Sequence, residues 1–158
     1  MILDVYEDGL EKSDIADVHH HSARGIIISH DDVLLLYSKK QNVYMLPGGR
    51  IEKGETPLDC VKREILEETG YHVQVIKKTV VIHEHFRESN WHSHFFLCQL
   101  LDHTKMDVQW TDEEKNMEIE AIWMHQGDAI TLLDEHDTTF KHGYNIMQRE
   151  FLALMNSL

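Results

Sequence analysis

The 158-residue sequence predicts a mixed fold of α/β or α+β class, a single domain over residues 1–158 with a sheet covered by helices on more than one side. Three observations carry that expectation. Extended β-rich runs recur at 23–29, 33–37, 73–85 and 91–101; a well-capped helical segment, Pro57–Thr69, interrupts them; and a second helical stripe lies at 144–155. Internal repeats, low-complexity tracts and linker-like stretches are lacking.

In chain order, 23–29 and 33–37 read as a hairpin around His30-Asp31-Asp32, and 43–46 as a short strand ending at Pro47-Gly48-Gly49. Thr56 then supplies an N-cap. Pro57 suits the first helical position, whose N–H has no helical partner, and Asp59 stands where a capping-box acid belongs. Leu58, Val61 and Ile65 recur at core-facing spacing, and Gly70 is the natural stop. Residues 73–85 and 91–101 form the next extended pair, joined by Arg87-Glu88-Ser89-Asn90. A charged loop at 111–117 precedes a strand at 118–124, and Tyr144, Met147, Phe151 and Leu154 form a helical stripe expected to pack on the sheet.

Charge narrows the function. A formal net charge of −13 argues against a simple electrostatic grip on a nucleic-acid backbone, since Lys39, Lys40, Arg50 and Lys53 make at most a local patch. A polyanionic substrate would need metal ions as intermediaries. No apolar run approaches the roughly 20 residues that cross a bilayer, and the stretch MILDVYEDGLEKSD has no basic region followed by an apolar one. A cytoplasmic location is expected, with Cys60 and Cys98 as free buried thiols.

The helix itself carries the chemistry. Glu64, Glu67 and Glu68 crowd its last turns, where the helix end already bears partial negative charge. Glu64 and Glu68, four apart, also repel each other by roughly 0.2–0.5 kcal/mol. At 100° per residue the three carboxylates fall within about a hundred degrees of arc beside the apolar stripe, with Arg63 projecting elsewhere. They offer hard oxygen ligands for Mg²⁺ or Mn²⁺. Mutual repulsion also raises the proton affinity of one member, as a general base requires. A run of glutamates is usually a solvated face; the unfavourable helix end and the Gly-Gly turn beside it weigh against that here.

The stretch GRIEKGETPLDCVKREILEETGY, residues 49–71, resembles the Nudix box of the MutT-like Nudix hydrolase family, in Gly49, Glu55, Arg63, Glu64, Ile65, Glu67, Glu68 and Gly70. Seven fixed identities at about 7% usage each would arise by chance on the order of once in a million such chains. Tyr71 departs from the pattern, standing where the family prefers an aliphatic residue. The resemblance implies a Nudix-type α/β/α sandwich with a mixed sheet between helices. It also implies Mg²⁺-dependent hydrolysis (Mn²⁺ as substitute) of the diphosphate linkage in a nucleoside diphosphate joined to another group, releasing a nucleoside-monophosphate-type product. Carried over, Glu64, Glu67 and Glu68 become metal ligands together with the Gly48 carbonyl. Glu64 or Glu68 doubles as base, Arg63 orients a glutamate, and Glu55 braces the loop with Gly49 and Gly70. A further acid from a later loop is expected among Asp112, Glu113, Glu114, Glu118 and Glu120.

Arg50, Tyr44 and His85 are the expected substrate-side residues, with Phe86, Trp91 and Trp110 as further aromatics able to stack on a base. If His85 faces His92, then His83 faces His94, and all four imidazoles share one face of a hairpin, a set able to bind Zn²⁺, Ni²⁺ or Cu²⁺ or simply to line a cleft. No proline or tyrosine marks the region after the box as the ADP-ribose and dinucleoside-polyphosphate branches would, which lowers both options and leaves the substrate open. The expected partner is a small nucleotide-type diphosphate, with nucleic acid and membrane disfavoured and a homodimer compatible. Three other readings compete: a pyrophosphohydrolase of RNA 5′ ends, a Nudix-like nucleotide-binding module that does not cleave, and a plain acidic metal-binding protein.

Overall fold

Eight strands among the described residues form one mixed sheet. The computed structural model describes residues 1–102 and 105–158. The strands are β1 (Ile2–Tyr6), β2 (His19–Ser29), β3 (Asp32–Ser38), β4 (Val43–Met45), β5 (Gly48–Arg50), β6 (Val73–His85), β7 (Asn90–Leu100) and β8 (Ile119–His125). The main path runs β1-β6-β7-β2-β3-β4, with β5 beside β2 and β8 beside β3. The β1–β6 and β2–β7 pairs are parallel and the others antiparallel.

Side-chain alternation along β2 explains the layers. Ala23 and Ile27 face α1 (Pro57–Thr69), where they join Leu34, Cys60, Val61, Ile65, Phe96 and Cys98 in one buried cluster. On the opposite face Ile26 joins Phe95, Ile82, Ala129, Met147 and Leu154, beneath α3 (Gln126–Glu135) and α4 (Gly143–Met155). Each fully buried Ile or Leu contributes roughly 1.5–3 kcal/mol. The result is the α/β/α sandwich. No helix among the described residues is long and apolar enough to cross a membrane.

The helix over 57–69 has the expected bounds, with the Thr56 hydroxyl accepting from the Asp59 N–H at 3.1 Å. Its buried stripe differs from expectation: Leu58 is exposed, and Cys60 takes the inward position beside Val61 and Ile65. Likewise Tyr144 points to solvent, while Met147 and Leu154 are buried. The acidic loop expected at 111–117 contains a short helix, α2 (Asp112–Asn116), closed by a full capping box between Thr111 and Glu114. The hairpin of β6 and β7 turns over residues 86–89, with the Phe86 N–H bonded to the Ser89 carbonyl at 2.9 Å. This pairs His83 with His92 and His85 with Asn90, a correction of two residues to the expected register. Because side chains repeat every two residues, the slip leaves every histidine on its expected face.

Candidate functional site

The site forms where β5 lies against the second half of α1. Gly49 sits so close to the helix that a Cβ there would stand 2.6 Å from the Glu64 carboxyl carbon, so any other residue would push that carboxyl aside. Next to it, the Gly48 N–H donates to Glu68 Oε1 at 2.8 Å and pins that carboxyl against the strand. Glu68 is only 5% exposed. Burial, followed by the charge of Glu64, raises its pKa well above the ordinary carboxylate range. Burial raises Glu64 as well, though Arg63 works against it.

Arg63 does not project away from the carboxylates, because its long side chain folds back along the helix. Its Nε and Nη2 grip Glu55 at 2.7 and 3.0 Å, while Nη1 reaches Glu64 at 3.0 Å and Glu67 at 3.2 Å. One guanidinium thus ties the loop before α1 to two carboxylates on it. The Glu55 carboxyl is held down at about 2, chiefly by the Arg63 hydrogen bonds. A depressed carboxylate stabilises the fold above its unfolded pKa of 4.5, and that contribution is lost as pH falls from 4.5 towards about 2. At up to about 3 kcal/mol it should be visible in urea unfolding. The gap between wild type and Glu55→Gln is expected to be widest near neutral pH and to shrink towards pH 3; a gap independent of pH would place the effect elsewhere.

Backbone donors also compensate the acidic helix end. Gly70 takes the left-handed conformation (φ 76°) and its N–H caps Leu66. Residues 106–110, which come after β7, return to this end of the helix. The Gln109 N–H donates to the Glu67 carbonyl at 2.7 Å and the Trp110 indole to the Glu68 carbonyl at 3.0 Å. Trp110 is therefore committed to the helix end. Tyr71, the departure from the box pattern, packs edge-on against Trp123 with ring centres 5.9 Å apart.

Among the later acids, Glu114 is the one whose charge raises both Glu64 and Glu68. Its Oε1 also accepts from the Thr111 N–H, which fixes it at the start of α2. Glu120 pairs with Lys39 at 3.3 Å, Glu113 lines a separate hollow with Lys40 and Phe140, and Glu118 occupies a turn at φ 53°.

The chemistry of the donor set fits a divalent ion: three carboxylates, one of them buried, with a single arginine among them. Among the described residues no group of three or more ligating side chains is already placed to hold an ion, and Arg63 holds two of the carboxylates.

On the other face of β2 a cavity of about 450 Å³ opens, lined among others by Arg24, Glu84, Phe86, Trp91, Ile146 and Arg149. Arg24 pairs in register with Gly48 and its charge reaches Glu68, so cavity and carboxylates meet across one strand. The expected substrate-side residues are scattered. Arg50 bonds His20 at 2.7 Å and lies over the Trp91 ring, whereas Tyr44 stacks on Tyr37. His85 bonds Asp4 and Asn90 on the α1 side of the sheet. Arg24, Glu84 and Arg149 were missed by sequence reasoning. Their one signal was charge inside otherwise apolar strand and helix patterns.

The sequence model of the NUDIX domain matches residues 19–144. A Caenorhabditis elegans protein named for the nudix hydrolases is 28% identical over 123 residues, 71% of this chain and 33% of that protein. The RNA pyrophosphohydrolase of Thioalkalivibrio sulfidiphilus is 43% identical over 60 residues, covering 35% of each chain. The chain thus spans about a third of the length of these curated relatives. In fold it is similar to a MutT NUDIX hydrolase from Burkholderia pseudomallei, with a TM-score of 0.60 at 19% identity over 90% of this chain and 100% of that one. With the box geometry, the sandwich and a domain match over most of its length, this chain belongs to the NUDIX family.

Proposed function

We propose that the protein hydrolyses the diphosphate linkage of a small nucleotide-type substrate with the help of Mg²⁺ or Mn²⁺. The observation that carries this is the buried Glu68 carboxyl, fixed by the Gly48 N–H beside Glu64 and Glu67. Glu64, Glu67 and Glu68, with the Gly48 carbonyl, would hold the ion. When bound, it neutralises phosphate charge and acidifies the attacking water. Arg63 orients Glu64 and Glu67, and Glu55 holds Arg63 in place. Burial beside Glu64 raises the proton affinity of Glu68, as a group that accepts a proton from water requires. Glu114 is the later acid best placed to assist.

The cavity across β2 suits the rest of the substrate, with Trp91 and Phe86 as flat apolar walls and the arginine–glutamate groups at its polar end. The similarity to an RNA pyrophosphohydrolase makes triphosphorylated RNA ends a second substrate arm, which the charge of −13 disfavours. The test is product analysis with Mg²⁺ across nucleoside triphosphates, ADP-ribose, nucleotide sugars, dinucleoside polyphosphates and a 5′-triphosphorylated RNA. For whichever member is cleaved, Trp91→Ala should raise KM about tenfold, the worth of one stacked base, with kcat nearly unchanged. Folded protein silent across the whole panel with both ions would overturn hydrolysis; an unchanged KM would move the base out of this cavity.

A further inference from the structure

Three adjacent strands bring imidazoles together on the α1 side of the sheet, beyond the end of the helix-covered core. They are His19 and His21 on β2, His92 and His94 on β7, and His83 and His85 on β6. The parallel register sets His21 beside His92, and the antiparallel one sets His92 beside His83. His92 is the hub. Its ring centre lies 4.3 Å from that of His83, 4.7 Å from His21 and 5.1 Å from His19.

The nitrogens are already close to ligand spacing. His19 Nδ1 stands 2.9 Å from His92 Nε2. Two nitrogens bound to one tetrahedral ion at about 2.0–2.1 Å are about 3.3 Å apart. Carboxylates stand near the outer nitrogens of these rings. Asp17 faces the other nitrogen of His19 at 3.5 Å, and Asp4 stands 3.7 Å from His83 Nδ1 and 2.8 Å from His85 Nε2. At His19 and His83 a nearby carboxylate favours one ring orientation and leaves the opposite nitrogen to ligate, whereas His85, bonded at both nitrogens to Asp4 and Asn90, is no ligand. A buried ring nitrogen on this face, His94 Nδ1, also lacks a hydrogen-bond partner.

From this arrangement we infer that the histidine face is a second metal site, specific for a borderline transition ion such as Zn²⁺, with His19 and His92 as the first ligand pair and His21 and His83 completing the set. Among the described residues no group of three or more such side chains is already placed to hold an ion, so His21 and His83 turn about their side-chain torsions on binding. In His19 the proton on Nδ1, where that atom is the donor to His92, moves to Nε2 facing Asp17. Imidazole nitrogen selects against Mg²⁺, which separates this site chemically from the carboxylates. The Ile51 N–H bonds the His21 carbonyl at 3.0 Å, so an ion here clamps β6, β7 and β2 where the loop into α1 is anchored.

The test is isothermal titration with Zn²⁺ in excess Mg²⁺, paired with thermal melts, on wild type and His92→Gln, His19→Gln, His20→Gln and Glu64→Gln/Glu67→Gln. The wild type is expected to take one Zn²⁺ per chain and to melt higher with it. His92→Gln and the half-exposed His19→Gln, chosen as the safer variant for folding, should each weaken binding at least tenfold. Asp4→Asn should weaken it about tenfold through ring orientation. His20 shares the His19-His20-His21 tract but lies on the opposite face against Trp91, so His20→Gln should bind as wild type does. Equal loss in His20→Gln would reveal binding by the tract alone. Loss confined to the carboxylate double variant would place zinc at the helix. Either result, or no zinc uptake by folded wild type, overturns the proposal.

Discussion

Glu68→Gln is expected to lower kcat about a thousandfold, within the range set by removing a positioned acid–base group, while the protein stays folded. The glutamine keeps a carbonyl oxygen where Glu68 Oε1 accepts from the Gly48 N–H, so the bond joining β5 to α1 survives. Two things go: a negative charge, and the ability to take a proton. Neither helps the fold. A carboxylate this deeply buried costs stability when ionised, as its raised proton affinity records. Without divalent ions and near neutral pH, the variant should therefore melt no lower than wild type. A fall in kcat with an unchanged melt assigns Glu68 to the chemistry. A parallel fall in both would make it a brace between strand and helix, and kcat within a few-fold of wild type would remove it from the reaction.

The box helix was legible in the sequence because every signal there is local. Thr56, Pro57 and Gly70 mark its ends, and the box spacing marks its carboxylates, without reference to the rest of the chain. The strands at 23–29 and 33–37 were legible from β-rich composition, but β2 starts earlier, at His19. Its first residues are polar, and they extend only because β7 runs parallel beside them, with the Ser22 and Ser93 hydroxyls bonded at 2.9 Å. β1 and β5 are short, and only pairing with β6 and β2 makes them strands. The direction of Arg63 was misread because a wheel fixes Cα positions and a long side chain can fold back. Of the cavity only Phe86 and Trp91 were foreseen, as stacking aromatics, for it joins residues from Glu7 to Arg149 that sequence distance keeps apart.

That cavity ends in four buried or nearly buried charges, and Glu150→Gln tests what they do. Glu150 is fully buried; its Oε1 accepts from Arg149 Nη2 at 2.7 Å and lies 3.9 Å from Arg24 Nη1. Arg149 also donates to Glu84 at 3.2 Å, so two guanidiniums face two carboxylates and the group is neutral. Removing one carboxylate leaves an uncompensated buried cation, which costs about 3–5 kcal/mol. For a domain of this size that is about a 10 °C drop in melting temperature. The paired change Arg149→Met/Glu150→Leu restores neutrality, with Arg24 and Glu84 left to balance, and should recover most of the loss. A network that apolar residues could replace at little cost in stability has another reason to exist. Here three of its atoms, Arg24 Nε, Arg149 Nε and Glu150 Oε2, lack hydrogen-bond partners, and Arg24, Arg149 and Glu84 line the cavity. The double variant should therefore fold like the wild type and bind substrate at least tenfold more weakly, the worth of one charged hydrogen bond. If it folds and keeps its KM, the group is a structural ion cluster and substrate is recognised elsewhere.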